Sequence, residues 1–231
     1  MLNIDIRKLK IKNQENVLLD LSFNITNSTA LIGESGSGKS LTLKALLNLL
    51  PKSLNCEKEI NSNFDLNFNT VAFIPQNPFT SLSPMTKINK QFFCTNEKKE
   101  EVLKLVDLDM WVLDKFPSQL SGGQIQRVVI AIALSKEIKF LLLDEPTTAL
   151  DIENRDNIID LINSLIKNLQ ILVLFVTHDI DSVRNICEDI VIIKNGVIIE
   201  KGKTDDVLLN PKEVYTKTLI NSTFKNKDFR K

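Results

Sequence analysis

Thr29-Ala30-Leu31-Ile32 followed by Gly33-Glu34-Ser35-Gly36-Ser37-Gly38-Lys39-Ser40 is a strand-like segment that runs straight into a glycine-rich turn. Leu41–Leu50 after it is an unbroken helix former that Pro51 ends. The spacing G-x-x-x-x-G-K-S between a strand and a helix is that of a phosphate-binding loop. Its glycines let backbone amides turn inward as a concave nest, and the helix that begins near Lys39 adds the positive end of its dipole. Lys39 is expected to reach the β- and γ-phosphates of a nucleoside triphosphate, and Ser40 to hold Mg2+. Nucleotide contacts are assigned to Gly33, Glu34, Ser35, Gly36, Ser37, Gly38, Lys39, Ser40 and the following Leu41.

A phosphate loop of this kind works with a second strand that ends in a carboxylate near the metal. Phe140-Leu141-Leu142-Leu143-Asp144-Glu145 supplies it. A buried Asp144 would fix the metal through its water shell, while Glu145, one residue beyond the strand, would accept a proton from the water that attacks the γ-phosphate. Adjacent carboxylates repel, so a bound cation is their natural compensation. His178, the chain's only histidine, follows the strand-like Ile171–Thr177. Parallel sheets place ligands at that edge, which favours a hydrogen bond from His178 to the γ-phosphate. Gln76 ends Phe73-Ile74-Pro75-Gln76 and can orient the metal or the attacking water. The expected catalytic residues are therefore Glu145, His178 and Gln76, and the expected metal ligands Ser40, Gln76 and Asp144.

Outward from these residues, Leu2–Ile6 and Val17–Ile25 read as strands from their alternation. Lys52–Asn69 is polar and predicts loops or short edge strands, and Val71–Ile74 a buried strand. Pro78–Gln119 reads as mainly helical, with charges and Val102, Leu103, Leu105 and Val106 on separate faces of Glu97–Val106. Ile125–Leu134 is an apolar helix, after which strands (140–144, 171–177, 190–193) alternate with helices (153–167, 180–187). That order predicts an α/β fold with a mainly parallel core sheet covered by helices. Asn195-Gly196 is a hairpin signal, expected to close the sheet edge before short C-terminal helices.

Composition narrows the partners. A chain of 231 residues with 43% apolar content can bury a full core as one domain. Its 29 basic and 29 acidic residues balance, so no global field draws it to nucleic acid or anionic lipid. Met1–Lys12 alternates apolar and charged residues and lacks the apolar core of a secretory signal. The longest apolar runs, Phe140–Leu143 and Ile171–Val176, are far short of the roughly 20 residues that span a bilayer. Cys56, Cys94 and Cys187 are odd in number and widely spaced, which fits a reducing cytoplasm and no metal-type cluster.

Leu120-Ser121-Gly122-Gly123-Gln124 resembles the signature motif of ABC-type ATPases. Around it, in order, stand the phosphate loop, a Q-loop glutamine (Gln76), LLLDEP at Leu141–Pro146, a D-loop at Thr148–Asp151 and an H-loop histidine (His178). The resemblance implies a P-loop NTPase of the ABC ATPase type, residues 1–231 as one domain. Within it are expected a small antiparallel strand region and an inserted helical subdomain, approximately residues 78–119 plus the start of 120–135. Ser121, Gly122, Gly123 and Gln124 open a helix, a second phosphate-binding end. In the family, that end closes on the ATP held by another subunit, so the resemblance adds them, with Asp151, to the nucleotide contacts. It further implies ATP and Mg2+ as cofactors, and a segment Pro78–Gln119 that meets membrane subunits.

GESGSGKSLT (Gly33–Thr42), QNPFTSLSP (Gln76–Pro84), FPSQLSGGQIQR (Phe116–Arg127) and DEPTTALD (Asp144–Asp151) are similar to the peptide and nickel importer branch. The expected function is the ATP-hydrolysing subunit of an importer of nickel or di/oligopeptides, peripheral on the cytoplasmic face of the cell membrane. The expected partners are a second ABC ATPase subunit, two transmembrane permease subunits and an extracytoplasmic substrate-binding protein, with no nucleic acid. An alternative class is a soluble ABC ATPase acting on ribosomes or DNA, but the fused second ATPase domain, coiled coils or zinc sites of such relatives do not occur here. Intact Glu145 and His178 argue against a catalytically dead regulatory subunit. Two departures stand out. Lys10–Val17 holds no aromatic residue for adenine to stack on, and the polar, compact Ser40–Gln76 stretch implies a reduced strand subdomain. Beyond Lys203 the chain ends soon, as nickel members do, without the cysteine-bearing extension of longer peptide members.

Overall fold

The computed structural model describes residues 1–148 and 152–228. Strands are β1 (Ile4–Asn13), β2 (Asn16–Ile25), β3 (Ser28–Ile32), β4 (Asn55–Ser62), β5 (Val71–Ile74), β6 (Phe140–Asp144), β7 (Leu172–Thr177), β8 (Asp189–Lys194) and β9 (Val197–Lys203). Helices are α1 (Lys39–Leu46), α2 (Asn96–Leu105), α3 (Gly122–Leu134), α4 (Ile152–Leu169), α5 (Ile180–Ile186), α6 (Thr204–Leu209) and α7 (Val214–Asp228). They fall into two compact units, one of Met1–Asp65 with the described residues from Leu172 onward, the other of the described residues of Leu66–Ile171.

In the first unit the strands run in the order β4-β1-β2-β9-β8-β3-β7. β3 pairs in parallel with β7 on one side and β8 on the other, and all five of its residues are buried. A strand buried on both faces between parallel neighbours reads as an apolar run, as Ala30-Leu31-Ile32 does. β1 pairs antiparallel with β2 and β4. It continues well past Ile6 because a bulge falls between Ile6 and Leu9, so Leu9 and Ile11 return to the buried face that Ile4 and Ile6 occupy. The changed parity hides that continuation from an alternation count. On the outer face of this pair, hydrogen bonds from Lys8 and then Lys12 hold the Glu57 carboxyl down to about 2.

The Asn195-Gly196 turn does not close a sheet edge. β9 pairs antiparallel with β8 and, at Asp20↔Val197, in parallel with β2, so it joins the parallel strands to the antiparallel ones. The cause is local: Asp20 N–H donates to Gly196 O at 2.7 Å, which draws the turn onto β2. Asn195 (φ 50) and Gly196 (φ 78) both adopt the left-handed conformation that a type I′ hairpin requires.

α1 is shorter than its apolar run. Asn48 takes φ 59 and donates to Ala45 O at 3.2 Å, and Leu49 donates to Lys44 O at 2.8 Å, the paired bonds of a Schellman stop.

In the second unit β5 and β6 pair in parallel. Residues 78–119 form α2 and four short 3-10 turns. α3 then buries Ile125, Val128, Val129 and Ile130. Its Arg127 reaches back to Val106 O at 2.7 Å and the Asp107 carboxylate at 3.0 Å, which ties it to the end of α2. Among the described residues, no helix is long and apolar enough to cross a membrane.

Candidate functional site

The phosphate loop lies between β3 and α1, and its glycines are dictated by space and by backbone angle. A Cβ on Gly33 would stand 2.3 Å from Ile193 O. Gly36 has φ 81 and Gly38 φ 110, where L side chains are strained. Ser37 N–H donates to Glu34 O at 3.2 Å, closing the loop on itself. Lys39, 7% exposed, donates its ammonium to Gly33 O at 2.6 Å and to Glu34 O at 3.0 Å. The loop thus curls around a buried cation. α1 opens with Thr42 N–H and Oγ1 both donating to Gly38 O, at 2.9 and 3.0 Å. Ser40 is exposed beside that start, at a dipole end suited to an anion.

Three further elements hold this loop from outside. Gly196 N–H donates to Ser37 O at 3.0 Å, so the β8–β9 turn grips the middle of the loop. A Cβ on Gly38 would meet Leu19 Cδ1 at 2.6 Å, which shows how closely β2 packs beneath it. Tyr215, near the start of α7, accepts a hydrogen bond from Glu34 N–H at 3.2 Å, and the Lys194 ammonium sits 4.5 Å from its ring centroid. Burial pushes the Tyr215 phenol above its ordinary range; the Glu34 N–H bond acts against that shift and the Glu34 charge with it.

His178 joins the same strand ends. Ile32 and Thr177 are register partners in β3 and β7, so Gly33 and His178 leave adjacent strands side by side. His178 is exposed, and Asp179 after it caps α5 by accepting from Asp181 N–H and Ser182 Oγ.

The second unit carries the carboxylate pair. Ile74 and Leu143 are partners in β5 and β6, and two residues beyond each the chain presents Gln76 and Glu145. Gln76 Nε2 donates to Glu145 Oε2 at 3.2 Å, and Thr148 Oγ1 donates to the same oxygen at 3.1 Å. Two donors on one oxygen fix the plane of the carboxylate. Glu145 itself has φ 46, a strained angle for a non-glycine residue and one of the features that gather at functional sites. Asp144 is half-buried at the end of β6, less enclosed than expected.

At the start of α3, Ser121 Oγ accepts from Gln124 N–H at 3.2 Å and Gln124 Oε1 accepts from Ser121 N–H at 3.0 Å, a reciprocal capping box. A Cβ on Gly123 would come within 2.9 Å of Asn154 Oδ1, so the side chain of Asn154 on α4 lies close against this helix end. Asp151 lies outside the described residues.

The profile of the ABC transporter family matches residues 18–148. The chain belongs to that family. It is 35% identical to the nickel import system ATP-binding protein NikD of Staphylococcus aureus, over 94% of this chain and 94% of that protein. The metal-staphylopine import system ATP-binding protein CntD of the same organism is 32% identical, covering 90% of this chain and 88% of its own. The oligopeptide transport ATP-binding protein OppD of Bacillus subtilis is 34% identical over 84% of this chain, which spans 62% of that longer protein. These relatives are the peptide and nickel branch that the wording of the motifs resembles. A dimeric ATP-binding cassette solved in a post-hydrolysis state, bound to ADP and Pi, is structurally similar, with a TM-score of 0.69 and 27% identity over 87% of this chain and 98% of its own.

As an ABC ATPase the chain has the α/β P-loop fold expected of it, and it binds ATP. Sequence reading named Thr148 only as the start of the D-loop, and did not reach Leu19, Lys194, the Gly196 turn or Tyr215 as parts of the site. Asn195-Gly196 was legible as a hairpin, and Tyr215 is the chain's only tyrosine. Neither signal says what the residue touches.

Proposed function

We propose that this chain is the ATP-hydrolysing subunit of an importer that takes up nickel or short peptides. It acts with a second ABC ATPase subunit, two transmembrane permease subunits and an extracytoplasmic substrate-binding protein, and sits peripherally on the cytoplasmic face of the membrane. Relatives of 32–35% identity that serve nickel, metal-staphylopine and oligopeptide import support the importer reading. They lend nothing to a ribosome- or DNA-acting ATPase. Exposed apolar side chains in the segment between Pro78 and Gln119, among them Phe79, Met85 and Phe93, support a protein partner there. We assign that segment, with the start of 120–135, as the inserted helical subdomain.

The observation that carries the mechanism is the double hydrogen bond on Glu145. With Oε2 occupied by the Gln76 and Thr148 donors, the carboxylate is oriented to take a proton from the water whose oxygen attacks the γ-phosphorus, as the bond to ADP breaks. Phosphate oxygens are held by the inward-facing amides of the loop and of the start of α1, and by the Lys39 ammonium, and His178 donates a hydrogen bond to the γ-phosphate. Ser121, Gly122, Gly123 and Gln124, with Asp151, serve the nucleotide of the opposite ATPase subunit. The Ser40 hydroxyl, the Gln76 Oε1 and the Asp144 carboxylate are all hard oxygen donors, the set that suits Mg2+. Mg2+ would neutralise charge on the β- and γ-phosphates.

Deleting the gene and measuring uptake in intact cells tests the cargo. Loss of energy-dependent nickel accumulation with unchanged peptide uptake supports nickel, and the reverse supports peptides. If both persist unchanged, the importer reading is wrong.

A further inference from the structure

The contacts of the phosphate loop extend to a residue more than a hundred positions beyond its motif. Glu34 uses both of its peptide groups. Its carbonyl faces inward, accepting from Ser37 N–H at 3.2 Å and from the Lys39 ammonium at 3.0 Å. Its N–H faces outward, to the Tyr215 hydroxyl at 3.2 Å. The plane that carries the Glu34 N–H also carries the Gly33 carbonyl, which accepts from the Lys39 ammonium at 2.6 Å. Because a trans peptide plane is rigid, a group that fixes the N–H on one side fixes the direction of that carbonyl on the other.

Tyr215 is in turn held in place. Lys194 covers its ring at 4.5 Å, one residue before the Asn195-Gly196 turn that grips Ser37. The start of α7 is pinned by the Glu200 carboxylate of β9, which accepts from Lys212 N–H at 2.9 Å and from Glu213 N–H at 3.2 Å. A short chain of bonds therefore runs from β9 through the head of α7 to the carbonyl that receives Lys39.

We propose that Tyr215 is a positioning residue for the triphosphate site. Its hydroxyl holds the Gly33–Glu34 peptide plane so that the Gly33 carbonyl keeps Lys39 aimed into the loop, and this makes α7 part of the nucleotide-binding apparatus. The inference rests on the reading of Gly33–Ser40 as the ATP phosphate loop. Its ligand is the triphosphate moiety, not the base.

The test is Tyr215→Phe in the full chain, which removes the hydroxyl and keeps the ring under Lys194. Binding of fluorescent ATP and of inorganic tripolyphosphate should weaken together by about 3- to 10-fold, the range of one neutral hydrogen bond. In the assembled transporter, KM for ATP should rise by a similar factor while kcat stays within about twofold. The Glu34 amide should exchange faster with solvent in the variant, and the denaturation midpoint should not move, which separates positioning from a structural role. ATP and tripolyphosphate affinities within about twofold of wild type, or an unchanged Glu34 exchange rate, overturn the proposal. If the wild-type chain binds neither probe, the phosphate-loop reading falls as well.

Discussion

Gln76 Nε2 donates to Glu145 Oε2 at 3.2 Å, a bond between the residues that lie two beyond the paired ends of β5 and β6. The register of those strands, Ile74 beside Leu143, sets that approach, so a pairing of apolar residues aims the carboxylate proposed as the catalytic base. Gln76→Ala removes one of the two donors on Oε2 and leaves the Thr148 bond. ATP hydrolysis in the assembled transporter should fall by about tenfold at saturating ATP and Mg2+. Steady-state kinetics checks it, and an unchanged rate would remove Gln76 from the site.

Lys39 carries the buried charge of the phosphate loop. Backbone amides cannot fully offset the loss of that cation. Lys39→Ala should therefore reduce ATP binding or hydrolysis by roughly 100-fold or more, about 3 kcal/mol. Equilibrium binding and turnover close to wild type would refute the assignment.

Gly196 is packed where no side chain fits. A Cβ there would approach Leu18 O to 2.1 Å at φ 78. Gly196→Ala should destabilise the protein by about 2–4 kcal/mol, read as a lower urea midpoint. Because Gly196 N–H also holds Ser37 O, ATP affinity of the folded variant should fall too. Unchanged stability and affinity would mean that the turn is not a support of the loop.

The β1–β2 hairpin turns over Gln14 and Glu15, and the large apolar side chains exposed just beyond it are the aliphatic Val17 and Leu18. With no aromatic ring in Lys10–Val17, the base is expected to be weakly read and the triphosphate to dominate binding. GTP should compete well with ATP. A preference for ATP above about a hundredfold, roughly 2.7 kcal/mol, would show that another residue reads adenine.

Much of this was legible in the sequence because the motifs are local. Gly33–Ser40 fixes spacing, backbone freedom and charge within eight residues, and Phe140–Asp144 announces a buried strand with an acid at its end. The parts that were not legible depend on distance or on broken periodicity. The bulge after Ile6 switches the parity of β1, and the left-handed Asn48 stops α1 while the apolar run continues. Tyr215 and Glu34 are 181 residues apart, and neither position carries a pattern that names the other. Asn195-Gly196 reveals a tight turn by its letters, but the pairing of Asp20 with Val197 that draws it to the phosphate loop is a property of the sheet.

Glu145 is proposed to take the proton from the attacking water, and Glu145→Gln tests that role. The amide keeps the shape of the side chain and loses its capacity to accept a proton. In the transporter assembled with its partner ATPase and membrane subunits, ATP hydrolysis should fall by at least about a hundredfold while ATP affinity is retained. An ATP-bound pair of ATPase subunits should then accumulate on size-exclusion chromatography in the presence of Mg2+. Hydrolysis by Glu145→Gln at the wild-type rate would contradict the account.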